Sequence, residues 1–224
     1  MARKSLGKFS QEIPTGLFPD IEADKSPLWA DGRNVLFEDG GARPTLGRIV
    51  IAIKTQAHPG TGLIEMIQGA KKTLFWGTPK VGTDNGKLFR WQEGDTSIED
   101  VSRVGDYTGT GIWSLVPWGE WVLATNGVDP PQVYGHPDDV NDFIDLYNAT
   151  GVTGLLAGDT WELVTATQAF IFALNMDFNN QAFKWSTEDN VQVWNPLPSN
   201  QAGDGVARNL YSEIIAVSAL ANGL

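Results

Sequence analysis

Few positions in this chain gather acids, bases or nucleophiles at spacings that a local backbone would bring together. There are two histidines, His58 and His136, each beside a proline. An imidazole can relay protons or ligate a metal near neutral pH, but neither ring has an acid and a nucleophile near it at a spacing known from hydrolytic triads. His136-Pro137-Asp138-Asp139 could imitate a metal-binding loop, and a water-facing acidic turn satisfies the same pattern. Cysteine is absent, so thiolate ligands and disulfides contribute nothing. No glycine loop ends in Lys-Ser or Lys-Thr, which leaves nucleotide binding unsupported. Arg33, Arg43, Arg48, Arg90, Arg103 and Arg208 are scattered and do not form a carboxylate-binding set. A glycosidase pair of carboxylates stays open, because its separation is a three-dimensional quantity. The residues therefore predict no catalytic set, no metal site and no cofactor.

What does recur is an element pattern. An apolar strand, a tight break, a second apolar strand, a polar turn and a short strand ending in an aromatic follow one another several times between residues 63 and 220. With Glu65, Trp113, Glu162 and Glu213 taken as equivalent, the steps are 48, 49 and 51 residues. A weak all-β repeat of that length predicts β-propeller-like blades. The 25 glycines and 12 prolines suit many short strands joined by turns, and no stretch sustains a 3.6-residue period.

Residues 1–27 carry Pro14, Pro19 and Pro27 among mixed charges and read as an extended N-terminal arm of the kind that lies on a neighbour. Residues 28–224 read as one propeller-type domain. A hairpin is expected within 34–53, its strands Val35-Leu36-Phe37 and Ile49 to Ile53 flanking the turn Glu38 to Pro44. Blades are expected near 63–100, 112–137 and 160–195, with a partial blade at 212–224. The second blade is expected to break at Pro117-Trp118-Gly119-Glu120, and Asp138 to Tyr147 is the one place where a short helix is expected. A propeller needs its ring closed, so a chain that stops inside its fourth repeat is expected to be a fragment or to be completed by another chain.

The formal charge of −11, from 16 basic and 27 acidic residues, argues against a surface that grips nucleic acid phosphates, while an acidic conduit would let DNA slide past. No run approaches 18 apolar residues, and the basic N-terminus is not followed by an apolar segment, so a soluble, unsecreted product without a membrane segment is expected. Most of the nine tryptophans fall on strands or their ends, where large aromatics fill the space between blades. Trp118, in the expected break, is the candidate for an exposed ring at a partner interface.

Two stretches carry a family resemblance. Residues 27–47, with Trp29, Arg33, Asn34, Gly40, Pro44 and Gly47, resemble the opening of virion structural proteins of short-tailed bacteriophages. In those proteins a tryptophan, an Arg-Asn-Val core, an acidic glycine turn and a basic residue before a proline-glycine end precede a β-propeller. The second stretch holds Trp185, Ser186, Asp189, Trp194 and Gly203 and is similar to a Trp-Ser…Trp-x-Pro…Ala-Gly segment of the same proteins. Ser186 to Trp194 is also loosely similar to the Asp-box of sialidase propellers, whose Ser and Asp bond turn amides above a packed tryptophan, a structural role. The resemblance implies a tail nozzle or hub below the portal. It further implies a cyclic homo-oligomer, six-fold in that family, that contacts the portal or adaptor and other tail proteins, lets DNA pass without specific binding and resides in the virion after synthesis in the host cytoplasm. Such proteins usually run well beyond 224 residues. The rival expectations are a host-glycan-binding propeller and a glycosidase-like virion enzyme.

Overall fold

The computed structural model describes residues 58–208 and Ile214, and, of the first 57 residues, the strands β1 (Val35–Glu38) and β2 (Gly41–Pro44). The chain divides into two units, Met1–Ile51 and Ala52–Leu224. In the first, β1 and β2 are antiparallel, with Glu38 opposite Gly41 and Val35 opposite Pro44, so two residues connect them. The strand that pairs with β1 therefore lies inside the stretch expected to be the turn. Asp-Gly, the pair at 39–40, is a residue combination that favours two-residue connections between antiparallel strands. Residues 49–53 lie outside the described residues, as do Trp29, Arg33, Asn34, Gly40, Gly47 and the N-terminal arm.

The second unit is all-β. Its strands are β3 (Gly62–Gln68), β4 (Lys71–Thr78), β5 (Lys87–Gln92) and β6 (Glu99–Asp100), then β7 (Ser114–Trp118), β8 (Trp121–Thr125), β9 (Gln132–Tyr134) and β10 (Ile144–Asp145), then β11 (Trp161–Ala166), β12 (Ile171–Met176), β13 (Asn179–Trp185) and β14 (Gly203–Val206). They form three four-stranded antiparallel sheets, each a meander in chain order. This is the order and size of a propeller blade. Among the described residues the sheets stand in an open row, with β3 against β7 and β7 against β11.

The row is built by sheets that are apolar on both faces. Leu123 and Val133 are paired neighbours, as are Val122 and Tyr134, and alternation sends the two pairs to opposite faces of the second sheet. Val122, Ala124 and Tyr134 join Met66, Phe75 and Leu88 of the first sheet in one buried cluster. Leu123 and Val133 join Val164, Ile171 and Ala173 of the third sheet in another. Burying each such side chain contributes about 1.5–3 kcal/mol, which explains why Val122 to Thr125 are all buried with no polar alternation.

The seams also use close approach. Trp113, just before β7, lays its ring against the second strand of the preceding sheet, and its Nε1 donates to Thr78 O at 3.0 Å. A Cβ on Gly77 would sit 2.3 Å from that ring. At the next seam Trp161, the first residue of β11, offers its carbonyl to Gly127 N at 2.8 Å and to Thr125 Oγ1, both at the end of β8. Ser114 Oγ accepts from Val164 N at 3.0 Å and donates to Val164 O at 3.2 Å, reading the next strand's backbone from β7.

Three local expectations are corrected. β7 continues through Pro117 to Trp118 and only Gly119-Glu120 turn the chain, since Trp118 pairs with Trp121. Pro117 is tolerated because β7 has a ladder neighbour on one side only. Trp118 is consequently half-buried against the cluster between the second and third sheets, not an exposed ring in a break. Residues 138–147 form no α-helix; the segment supplies β10 and leads into a single 3-10 turn, Leu146–Asn148. In the third sheet as in the second, the fourth strand comes from the segment that follows the expected blade, β14 as β10.

Gly77→Ala should therefore cost on the order of 1–3 kcal/mol through overpacking against Trp113 and lower the melting temperature by several degrees. Gly158→Ala, where an added Cβ meets nothing within 4 Å, should change it little. Thermal unfolding of the two variants checks the contrast.

Candidate functional site

The polar side chains of the described residues concentrate where chain segments cross from one sheet to the next. The first crossing, residues 101–113, is held by Asp129 from the β8–β9 loop. Asp129 Oδ2 accepts from Thr108 N and Gly109 N, both at 2.9 Å, and from Asn126 Nδ2 at 2.8 Å. Its Oδ1 accepts from Thr108 Oγ1 at 3.0 Å and faces Arg103 Nη2 at 3.3 Å. Arg103 also pairs through Nη1 with Asp145 of β10, and Gln132 Nε2 donates to the same carboxylate at 2.6 Å. Tyr107, fully buried under the Arg103 guanidinium, accepts from Arg103 N and donates to Gln132 Oε1 at 3.4 Å. Burial holds its phenol far above the usual range, so it acts as a neutral hydrogen-bonding group. A nearly buried carboxylate with this many donors is a clamp on a loop.

An acidic cleft of about 350 Å³ opens on the outer side of the same seam. Arg90 donates to Glu99 Oε2 through Nε at 2.9 Å and Nη2 at 2.5 Å, and to Tyr134 Oη through Nη1 at 3.1 Å. Burial raises the Tyr134 phenol. Burial, with Asp139, Asp100 and Glu99 nearby, also raises the Asp142 carboxyl above the ordinary carboxylate range. A single arginine already held by Glu99 leaves this cleft with more negative than positive groups, which suits a cation or a hydroxyl-rich ligand better than an anion.

At the second seam a cleft of about 530 Å³ is bordered by Ile112, Trp113, Val128, Glu162, Leu163 and Phe178. Phe178 is 86% exposed and sits with Asp177 in a two-residue turn, both at positive φ (63° and 51°). A bulky residue in that region costs roughly 1–2 kcal/mol, so this turn carries both strain and exposed apolar surface.

The Ser186 to Trp194 stretch lies between β13 and β14. Ser186 is fully buried; its Oγ accepts from Ile171 N at 3.1 Å, and its N donates to Ile171 O at 3.0 Å. Asp189 contributes backbone, with φ 51° and its N–H on Ala169 O at 2.8 Å. Trp194 is fully buried, with Nε1 on Val191 O at 2.6 Å and its ring 4.8 Å from that of Trp161. Trp185 lies half-buried over Gly203, whose added Cβ would be 2.1 Å from the ring, and its Nε1 donates to Gln201 O.

The same device occurs in the second sheet, displaced by 51 positions. His136 and Asp139 bridge as Thr187 and Asn190 do, and Asp139 Oδ1 accepts from Asn141 N as Asn190 Oδ1 accepts from Gln192 N. Phe143 is then buried in the place of Trp194. His136 is thus a buried member of a turn, with Asp138 Oδ2 3.4 Å from its Nδ1 and Gln192 Nε2 3.3 Å from its Nε2. His58 is drawn to Asp84 at 3.1 Å, a partner 26 positions away that sequence spacing could not reveal. Among the described residues no three His, Asp or Glu side chains gather as a metal site. The Arg103–Asp129–Asp145 group was missed because its members stand 16 to 42 positions apart; the Asn126-Gly127-Val128-Asp129 turn was its one local signal.

Compared with models of known protein families and with curated proteins, the sequence matches none.

Asp129→Ala would leave two backbone N–H groups and the Asn126 amide without an acceptor, and should destabilise by about 2–4 kcal/mol, since each orphaned buried donor costs about 1–3 kcal/mol. Chemical denaturation checks this. Asp142 has the opposite sign. A carboxyl whose pKa is raised by folding binds its proton more tightly in the folded state. Its contribution to stability therefore falls as pH rises from the ordinary carboxylate value of 3.8 through the raised one, and stays unfavourable above it. Asp142→Asn should raise the melting temperature at pH 7, and the gain should vanish below that window in a pH series of melts.

Proposed function

We propose that this chain is a structural component of a phage virion, part of the tail nozzle or hub below the portal, and that it works by assembly and by lining a path for DNA. The observation that carries the reading is the row of rigid sheets whose two end sheets both turn apolar side chains outward. On the first sheet Leu63 and Ile67 are 65% and 70% exposed, and on the third Phe172, Phe183 and Trp185 are half-buried. A wall element needs such joinable ends, whereas a self-sufficient enzyme domain keeps its apolar faces covered. The motif stretches at 27–47 and 183–203 add the resemblance to short-tailed phage proteins.

In this reading identical chains close into a ring, because a heterologous contact between copies must close or grow into a filament; the family's number is six. The edge strands β3 and β11 carry the exposed carboxylates Glu65 and Glu162, in keeping with a wall that DNA passes without adhering. Adjacent subunits, the portal or adaptor and other tail proteins are the partners.

The glycan-binding reading asks for exposed tryptophan faces. Of the eight tryptophans among the described residues, three are buried and five are half-buried. The glycosidase reading asks for two carboxylates across a central pocket; the carboxylates Glu99, Asp100 and Asp142 instead gather on outer strands and loops.

Peptides of this chain should co-purify with intact tailed particles at a fixed ratio to the portal protein, measured by quantitative mass spectrometry. Its recovery only from the non-particulate fraction of the lysate would remove the virion reading. A glycan array should show no binding; saturable binding to one glycan class would favour the receptor-binding alternative.

A further inference from the structure

Each seam in the row is made the same way: the residue that opens a new innermost strand docks on the end of the second strand of the sheet before it. Trp113 docks on Thr78, and Trp161 docks on Thr125 and Gly127. A third instance stands at the far end of the row. Asn175, at the end of β12, turns its side-chain amide onto one residue. Its Nδ2 donates to Ile214 O at 2.8 Å and its Oδ1 accepts from Ile214 N at 3.2 Å. Ile214 N also donates to Asn180 O at 3.0 Å. The docked residue follows its dock by 35 positions in the first case, 36 in the second and 39 here.

Asn175 is itself buried, sits at φ 54° and donates to Glu162 of β11 at 2.9 Å, so the clamp is tied to the strand beside which a new one would run. A side chain that bonds both the N–H and the C=O of one residue reads extended backbone, as a neighbouring strand does. Beside it lies an apolar sheet face. Leu163, Leu174 and Phe183 are in register across β11, β12 and β13, followed by Phe172 and Trp185; Gly205 lies beneath the Phe183 ring and Gly203 beneath that of Trp185. At each earlier seam the corresponding face is covered by the next sheet.

We propose that this face is a strand-docking surface whose occupant is the chain's own segment after Ile214. Ile215-Ala216-Val217-Ser218-Ala219-Leu220 would then lie along β11 as the innermost strand of a fourth sheet. The segment has the composition the surface requires, with no charge over six residues. Because the clamp holds Ile214 of the same chain, the occupant is reached without a second copy. The inference holds whether or not the protein belongs to a tail; it leaves the outward face of the first sheet, with Leu63 and Ile67, open to another subunit, and moves the other joinable end from the third sheet to the strand that covers it.

The absence of cysteine permits a direct test in the full chain. Leu163→Cys is combined in turn with Ile215→Cys and with Ala216→Cys, two registers of one strand, and oxidised. An internal disulfide is expected in at least one pair, seen as monomer on a non-reducing gel with the linked peptide identified by mass spectrometry. Disulfide-linked dimers would show that a second copy supplies the strand, and failure of both pairs to close would show that the segment does not lie there; either result overturns the proposal. Hydrogen exchange on the unsubstituted protein should show residues 215–220 protected at least about 100-fold over a free chain. Asn175→Gly, which keeps the left-handed backbone comfortable and removes the clamp, should lower that protection while β3 to β10 stay protected. Exchange at the free-chain rate in the unsubstituted protein would equally overturn it.

Discussion

The constraint on which the structure depends is that its sheets are apolar on both faces. Most antiparallel sheets keep one face for water and alternate accordingly. The second sheet does not: alternate residues of β8 and β9 go to two different buried clusters. A sheet of this kind is unstable alone and must stand between two neighbours. Row architecture, close seams and joinable ends all follow from that requirement. The glycines and aromatics at the seams serve it too, since Gly62 and Gly77 let the backbone approach Trp113 closely enough to shut out water.

Stacking alone would let the sheets slide, and polar groups prevent it. Asp129 gathers the first crossing onto the second sheet, and Arg103 connects that loop to Asp145 on the sheet's outermost strand. At the second crossing backbone shares the work: Thr153 and Val193 form a parallel bridge, Gly154 lies against Asn195 where a Cβ would not fit, and Gln192 Nε2 donates to Thr150 O at 2.9 Å. Among the described residues, charged and polar side chains therefore hold segments in place, and the surfaces left open are the outward apolar faces and the clefts along the seams. A function in assembly, as proposed, uses those surfaces directly.

Much of the strand pattern is legible in the sequence, because short apolar runs broken by Asn-Gly and Asp-Asn-Gly leave few alternatives. The 48- to 51-residue steps correspond to whole sheets. What escaped had physical causes. Pro117 reads as a breaker, yet an edge strand tolerates it, and the extension of β7 lays Trp118 half-buried against the core cluster. Gly41-Ala42-Arg43-Pro44 has little strand propensity and reads as part of a turn, yet it pairs along the whole of β1. Asp138 to Tyr147 lacked the alternation of a strand because its side chains are engaged in turns. Ser186 and Trp194 are legible as a structural motif; that His136 to Phe143 repeats it is hidden because only Asp138 and Val140 are identical to their counterparts Asp189 and Val191.

The central claim, that these sheets form the wall of a ring-shaped assembly, is tested most directly by electron microscopy of the purified full chain. Class averages of a closed ring of identical subunits around an open channel are expected at concentrations where the protein is folded. A uniform population of single, well-folded monomers without rings would contradict it.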